Sequence, residues 1–246
     1  MIINFNSFLF ERKDLEKSKY ISKVASDILD KYLDKIKKLI NNNEQLNVHI
    51  QDPKFNILYY KNNYKILFAN NTSPGEIFVE KKEIYISNEI VNIINSIKNK
   101  SKKEAINIFN NLLKNEDLLY QIKNILVHEL AHKEDPYNYK KEDNYIKKLN
   151  NIRSQLSREY DNILKSKNDK LYYNLSTEYN SFYLTFCSQL LDIIKQHPNF
   201  LSKNNFENIL NLFKKSNKSL FNNINEKNKK RLINRLYNFY NELIKI

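Results

Sequence analysis

Residues 115–136 of the 246-residue chain read NEDLLYQIKNILVHELAHKEDP, and this stretch predicts one long helix over 116–134. Its apolar residues recur at steps of three and four, which gives the helix one apolar face made of Leu118, Leu119, Ile122, Ile125, Leu126 and Leu130. Asn115 is the predicted N-cap, and the two acidic residues after it favour the helix dipole. Pro136 ends the pattern, because proline cannot continue a helix.

Helical periodicity also covers most of the chain on both sides of one strand-rich stretch. Residues 11–40 show it, and between 46 and 87 the apolar period changes to two. Turn-forming residues divide this stretch into five predicted strands: Leu46–Ile50, Phe55–Tyr60, Tyr64–Ala69, Glu76–Glu80 and Glu83–Ser87. Further helices are predicted near 88–98, 102–114, 141–167 and 170–196, with two or three more after Pro198.

This order of elements predicts an α+β fold. A small mixed or antiparallel sheet (46–87) would pack on the 116–134 helix, and a mostly helical C-terminal half would follow. Residues 1–198 would form one domain that includes an N-terminal helix. Residues 199–246 would be a C-terminal helical extension or part of the same domain, and the sequence does not separate these alternatives.

Composition excludes several classes of protein. The 41 Lys and Arg residues outnumber the 28 Asp and Glu residues, for a net charge of +13. The single glycine, Gly75, excludes P-loops and dinucleotide-binding glycine fingerprints, and the single cysteine, Cys187, excludes disulfide frameworks and cysteine-ligated zinc modules. No apolar run of about 18 residues and no signal-peptide pattern is present, so we expect a cytoplasmic or virion-associated protein.

The 116–134 helix carries His128-Glu129-Leu130-Ala131-His132, an HExxH motif. Residues four apart lie on the same face of a helix, so His128 and His132 can present their imidazole nitrogens to one metal ion. Glu129 lies about 100° further around the helix axis. From there its carboxylate can take a proton from a water that zinc activates, and can return it to a leaving amine.

With this motif after a strand-rich half, the chain resembles the zincin metallopeptidases over about residues 46–196. The resemblance implies a bound Zn²⁺ held by His128 and His132, with Glu129 as the general base. It also implies that the active-site helix lies beneath a mixed sheet, whose edge strand binds extended peptide substrate. Glu83–Ser87 or Glu76–Glu80 would be that edge strand. Lys133 departs from the stricter family pattern, which disfavours a charge after the second histidine.

The third metal ligand depends on the branch of the family. The third histidine of the metzincin branch and the Gly-Thr pair of the aspartate branch are both absent, which leaves the glutamate branch. Glu178 falls on an inward stripe of the predicted 170–196 helix, where a carboxylate is costly unless it is paired or metal-bound. Its interval of 46 residues from His132 is similar to that of the anthrax lethal factor-like group. An ion pair for Glu178 stays open, with Glu142, Asp143 or Glu159 as the alternative ligand.

In the same group a tyrosine two helical turns before the glutamate ligand stabilises the oxyanion. The matching residue here is Leu171, so this role does not carry over. Three nearby tyrosines can donate a hydrogen bond to a tetrahedral intermediate and are the candidate oxyanion donors: Tyr172, Tyr173 and Tyr179. Cys187 lies on the apolar side of this helix and is predicted to fill the core.

These observations predict a zinc-dependent metallopeptidase that hydrolyses a peptide or protein substrate. Two alternatives remain open. The first is a catalytically idle zincin fold that serves as a structural or binding module, for example in a phage particle. The second is a basic, helical nucleic-acid-binding protein, since clustered Lys and Arg neutralise phosphates. The abundance of Lys, Asn, Ile and Tyr indicates an AT-rich coding sequence, as in a phage or a low-GC bacterium, and this alone accounts for the charge.

Overall fold

The computed structural model describes residues 5–42, 57–60, 64–68, 75–78, 83–86, 92, 96–97, 100–133 and 169–245. In chain order the main helices are α1 (Phe5–Asn42), α2 (Lys102–Lys114), α3 (Glu116–Lys133), α4 (Asp169–Asn174), α5 (Ser176–Gln196), α6 (Phe200–Lys203), α7 (Phe206–Ser216), α8 (Lys218–Asn223) and α9 (Glu226–Leu243). The predicted strand Leu46–Ile50, the predicted helix 141–167 and the alternative ligands Glu142, Asp143 and Glu159 lie outside these ranges.

Four short strands form a mixed sheet. They are β1 (Ile57–Tyr60), β2 (Tyr64–Phe68), β3 (Gly75–Phe78) and β4 (Glu83–Ile86), in the order β1-β2-β4-β3. The β1–β2 and β3–β4 pairs are antiparallel, and β2 and β4 run parallel, with Lys65 opposite Glu83. Of the two strands that the resemblance implies as the substrate-binding edge, β4 lies inside this sheet and β3 lies at an edge of the four described strands.

The predicted α+β fold class is nevertheless wrong. Of the residues whose side chains the structure describes, 90% are helical and none lies in a strand. Period-two patterning between 46 and 87 indicated strands, but these are only four or five residues long. The long amphipathic helices supply nearly all of the hydrophobic core described, so the described part of the chain is predominantly helical. Within the described residues, no helix is both long and apolar enough to cross a membrane.

The chain divides into two compact units, Ile21–Leu130 and a second unit made of Met1–Tyr20 with Ala131–Ile246. In the first of these, α1 buries a stripe at helical spacing: Ile21, Ala25, Ile28, Leu29, Tyr32, Leu33, Ile36 and Ile40. Ser101 begins α2 with a capping box, in which its hydroxyl and the Glu104 carboxylate each bond the other residue's backbone N–H. The predicted division near residue 198 stays a prediction.

In the unit made of Met1–Tyr20 and Ala131–Ile246, α5 and α9 are joined through a half-buried polar cluster. Arg235 of α9 donates to Asp14 of α1 in a bidentate pair, with its Nη2 3.0 Å from Oδ2 and 3.1 Å from Oδ1. The same guanidinium lies 4.2 Å from the centre of the Tyr183 ring of α5. Around this cluster, the core includes Leu184, Leu190, Phe213, Leu232, Leu236 and Phe239. Cys187 is fully buried there, which confirms its predicted place in the core.

The single helix predicted over 170–196 is two helices. Leu175 has extended backbone angles (φ −64°, ψ 132°), so α4 ends before it and α5 begins after it. The predicted inward register did place Glu178 correctly among buried positions. The break changes its setting, however, since Glu178 lies in the first turn of α5 instead of mid-helix.

Candidate metal centre

The two motif histidines lie near the C-terminal end of α3, as predicted. Asn115 caps this helix, because its side-chain oxygen accepts a hydrogen bond of 3.1 Å from the Leu118 N–H. The apolar face of α3 is fixed by full burial of Ile122, Leu126 and Leu130. His128 and His132 are therefore held one turn apart on one continuous helix.

Glu178 comes to this turn of α3 from the start of α5. Its side chain is only 1% exposed, and its Oε2 lies 3.6 Å from Nε2 of His132. Both residues belong to the unit made of Met1–Tyr20 and Ala131–Ile246. The structure thus brings the predicted third ligand beside the second motif histidine.

The three predicted ligands offer donor atoms at metal-binding spacing. One ligand atom from each of His128, His132 and Glu178 can be chosen so that all three lie within 4.8 Å of one another. Donors about 2.0–2.1 Å from a tetrahedral zinc ion are separated by about 3.4 Å, close to the 3.6 Å between His132 Nε2 and Glu178 Oε2. Two imidazoles and one carboxylate therefore fit a zinc ion.

Burial sets the protonation state of His132. His132 is only 9% exposed, and the loss of solvation lowers the pKa of its imidazole from 6.5 to about 4. At neutral pH the imidazole is uncharged, so its 3.6 Å contact with Glu178 is not an ion pair. A neutral imidazole has a lone pair free for a metal ion, which is the form that ligation requires.

This shift predicts how the metal-free protein responds to acid. A histidine whose pKa is depressed by folding binds more protons when unfolded, so stability is lost as the pH falls from 6.5 towards 4. We expect metal-free wild type to lose about 3 kcal/mol more unfolding free energy between pH 7 and pH 4 than His132→Gln loses. Urea unfolding in the presence of a chelator measures this difference, and parallel losses in the two proteins would contradict it.

Glu129 lies between the two histidines in sequence and is buried, with 5% of its surface exposed. It follows His128 by about 100° around the axis of α3, which separates its direction from that of the histidine pair. A buried acid in this position is suited to proton transfer beside a metal ion. Its role as general base stays a prediction.

The three candidate oxyanion donors have different surroundings. Tyr172 and Tyr173 lie in α4, where their rings meet edge to face at 5.2 Å, and the Tyr173 ring also contacts Phe182 at 5.6 Å. The Tyr179 hydroxyl accepts a hydrogen bond of 3.1 Å from Arg231 of α9. This bond directs the Tyr179 hydroxyl to α9. The assignment of an oxyanion donor stays a prediction for all three.

The hydrogen bonds made by the polar residues that flank Glu178 were not predicted from sequence, although Tyr179 was named as a candidate oxyanion donor. Asn174, Tyr179 and Asn180 make hydrogen bonds with the region from Asn223 to Arg235. One signal was present in the sequence: Arg231 and Arg235 are four apart on α9 and alternate with the buried Leu232 and Leu236. Arginines at such spacing share one face of a helix, but the sequence does not say what they contact.

Comparison with known proteins returns no match to a protein-family model, a curated protein or a solved structure. The HExxH motif and the donor atoms around it are therefore the features of this chain that indicate a function.

Proposed function

We propose that the protein is a zinc-dependent peptidase whose metal ligands are His128, His132 and Glu178, with Glu129 as the general base. The observation that supports this most is the group of three donor atoms within 4.8 Å at the end of a capped helix. The HExxH motif supplies two of these ligands and the base. The third ligand comes from α5, whose Glu178 lies beside His132 of α3.

The donor set favours zinc over other common ions. Ca²⁺ and Mg²⁺ take oxygen ligands almost alone, whereas two imidazole nitrogens with one carboxylate oxygen are typical of catalytic zinc. Three protein ligands leave the fourth tetrahedral position open for water or substrate. Structural zinc sites are usually closed by four protein ligands. The set of His128, His132 and Glu178 is therefore better suited to chemistry than to structural support.

Each side chain of the proposed site has a separate role in hydrolysis. A bound zinc ion supplies a Lewis acid that lowers the pKa of water towards about 7. His128 and His132 bind as neutral ligands, and Glu178 brings a negative charge that offsets part of the ion's charge. Glu129 accepts the proton of the attacking water and later donates it to the leaving amine of the peptide.

The first test of this proposal is metal content. We expect one zinc ion per chain in protein purified without added metal, because the three ligands converge on one position. Elemental analysis measures the ratio, with His128→Ala as the variant that should lose the ion. Zinc-free wild type that also takes up no zinc on dialysis would contradict the proposal.

The second test is turnover. Zinc-loaded protein should cleave members of a diverse peptide library, and a chelator should stop the cleavage until zinc is restored. Mass spectrometry of the products detects hydrolysis without knowledge of the specificity. Stoichiometric zinc without any cleavage would contradict peptidase activity and favour the idle-fold alternative.

A further inference from the structure

The segment around Glu178, residues 174–180, makes hydrogen bonds with the C-terminal helices. Asn174, before Glu178, and Tyr179 and Asn180, after it, make side-chain hydrogen bonds with residues between Asn223 and Arg235. The Asn174 side chain also donates to the Lys170 carbonyl of its own helix at 2.6 Å. These contacts fall within the unit made of Met1–Tyr20 and Ala131–Ile246. Their arrangement indicates a role for α9 that the HExxH motif does not involve.

Two arginines of α9 bind the two residues that follow Glu178. Arg231 Nη1 donates to the Tyr179 hydroxyl at 3.1 Å, and Arg235 Nη1 donates to Asn180 Oδ1 at 2.6 Å. Because the arginines are four residues apart, both donors come from one face of α9. Charged donors make shorter and stronger hydrogen bonds than neutral ones. The start of α5 is therefore joined to α9 through the side chains of Tyr179 and Asn180.

Arg235 is itself fixed in place. Its bidentate pair with Asp14 and its contact with the Tyr183 ring occupy the rest of the guanidinium. Burial opposes its charge, but the Asp14 carboxylate, with Tyr183 and Cys187, more than compensates, and the pKa of Arg235 is raised above its ordinary value. The guanidinium is thus a rigid, permanently charged donor to Asn180.

Asn174 anchors the segment on the other side of Glu178. Its Oδ1 accepts from the Asn225 N–H at 2.9 Å and from Asn228 Nδ2 at 3.1 Å. Its own Nδ2 donates to the Asn223 carbonyl at 3.1 Å. The start of α9 therefore holds the α4–α5 junction, four residues before Glu178.

This anchoring compensates for a weak helix start. Leu175 is the N-cap residue of α5 and makes no side-chain capping bond, whereas Asn205 and Asn225 cap α7 and α9. Uncapped first turns lose backbone order easily. Glu178 lies in that first turn, and a metal ligand needs a well-defined position. The hydrogen bonds from α9 supply the order that a cap would otherwise give.

We propose that Arg231 and Arg235 of α9 are positioning residues for the zinc ligand Glu178, acting through Tyr179 and Asn180. This inference rests on the proposed metal site. The C-terminal helix then determines how tightly zinc is held, although it supplies no ligand. Partners that orient metal ligands typically contribute roughly 10- to 100-fold to metal affinity.

The test compares two tyrosines of α5 under the same substitution. Tyr179→Phe removes the hydroxyl that binds Arg231 and keeps the ring. Tyr183→Phe removes a hydroxyl that donates to the Arg235 carbonyl at 3.3 Å, one turn further from Glu178. We expect Tyr179→Phe to weaken zinc binding about tenfold in chelator competition. Tyr183→Phe keeps the ring that contacts the Arg235 guanidinium, so this variant should keep wild-type affinity. An oxyanion donor would alter turnover but not zinc affinity.

A double-mutant cycle tests whether Arg231 acts through Tyr179. Arg231→Met alone should weaken zinc binding about as much as Tyr179→Phe, and the double variant should be no weaker than either. Arg231→Lys keeps a charged donor and should restore part of the affinity. Bound Co²⁺ gives a second readout, since its visible spectrum depends on ligand geometry and should change in Tyr179→Phe but not in Tyr183→Phe.

The outcomes separate this inference from the proposed function. Wild-type zinc affinity in Tyr179→Phe would overturn the positioning role and leave the metal site intact. Equal weakening in Tyr179→Phe and Tyr183→Phe would also overturn it, because it would show a general loss of stability. A wild-type protein that binds neither zinc nor Co²⁺ would overturn both the site and its positioning.

Discussion

Glu129→Gln should bind zinc as wild type does and should lose peptide hydrolysis by about 10²- to 10⁴-fold, the usual contribution of a general base. Glutamine matches glutamate in shape, so the buried position on α3 stays filled. It cannot accept the proton of the attacking water, and this is the function that the motif assigns to Glu129. The loss should therefore appear in kcat with little change in KM.

A matched control lies on the same helix. Glu116→Gln makes the same substitution in the exposed first turn of α3 and should leave turnover unchanged. Elemental analysis and far-UV circular dichroism of both variants confirm that zinc and fold are retained. Hydrolysis by Glu129→Gln at the wild-type rate would exclude Glu129 as the base, and zinc loss in this variant would indicate that it is a ligand.

The helix α3 could be predicted from sequence because every signal in it is local. The Asn115 cap, the apolar stripe and the four-residue spacing of His128 and His132 all lie within about 20 residues of chain. The structure confirms the cap through the bond from the Leu118 N–H, and α2 occupies the predicted range 102–114. Such features depend mainly on residues that are close in sequence, so periodicity and capping residues can reveal them.

The fold class could not be predicted in the same way. Alternation of apolar residues correctly indicated strands between 57 and 86, but it does not say how much of the core a sheet supplies. The four described strands have only four or five residues each, whereas α1 alone has 38. The α+β prediction took the period-two patterning as evidence for a small sheet packed on the 116–134 helix, whereas the core that the structure describes is helical.

The surroundings of Glu178, the proposed third ligand, could not be predicted from the sequence for a different reason. The inward register identified Glu178 as a buried carboxylate, and the structure agrees. The break at Leu175 was missed, since leucine is an ordinary residue within helices. The partners Arg231 and Arg235 are more than 50 residues from Glu178, so only the tertiary structure can pair them with Tyr179 and Asn180.

Glu178→Gln should weaken zinc binding by at least about 100-fold, more than the loss of an outer partner costs. The amide is neutral and a poorer ligand, so the site loses both a donor and the charge that offsets the ion. Without metal the effect should have the opposite sign. A carboxylate that is 1% exposed carries a desolvation cost of several kcal/mol, and glutamine removes the charge while keeping the shape.

Metal-free Glu178→Gln should therefore unfold at the same urea concentration as metal-free wild type, or at a higher one. Glu129→Gln is the matched control. It neutralises a different buried carboxylate, which lies on α3, and this variant should keep its zinc. Unfolding with and without zinc, together with chelator competition, measures both effects. If Glu178 were instead held by a structural ion pair, its glutamine variant would keep zinc and would lose about 3–5 kcal/mol of stability without metal. That result would exclude Glu178 as the third ligand.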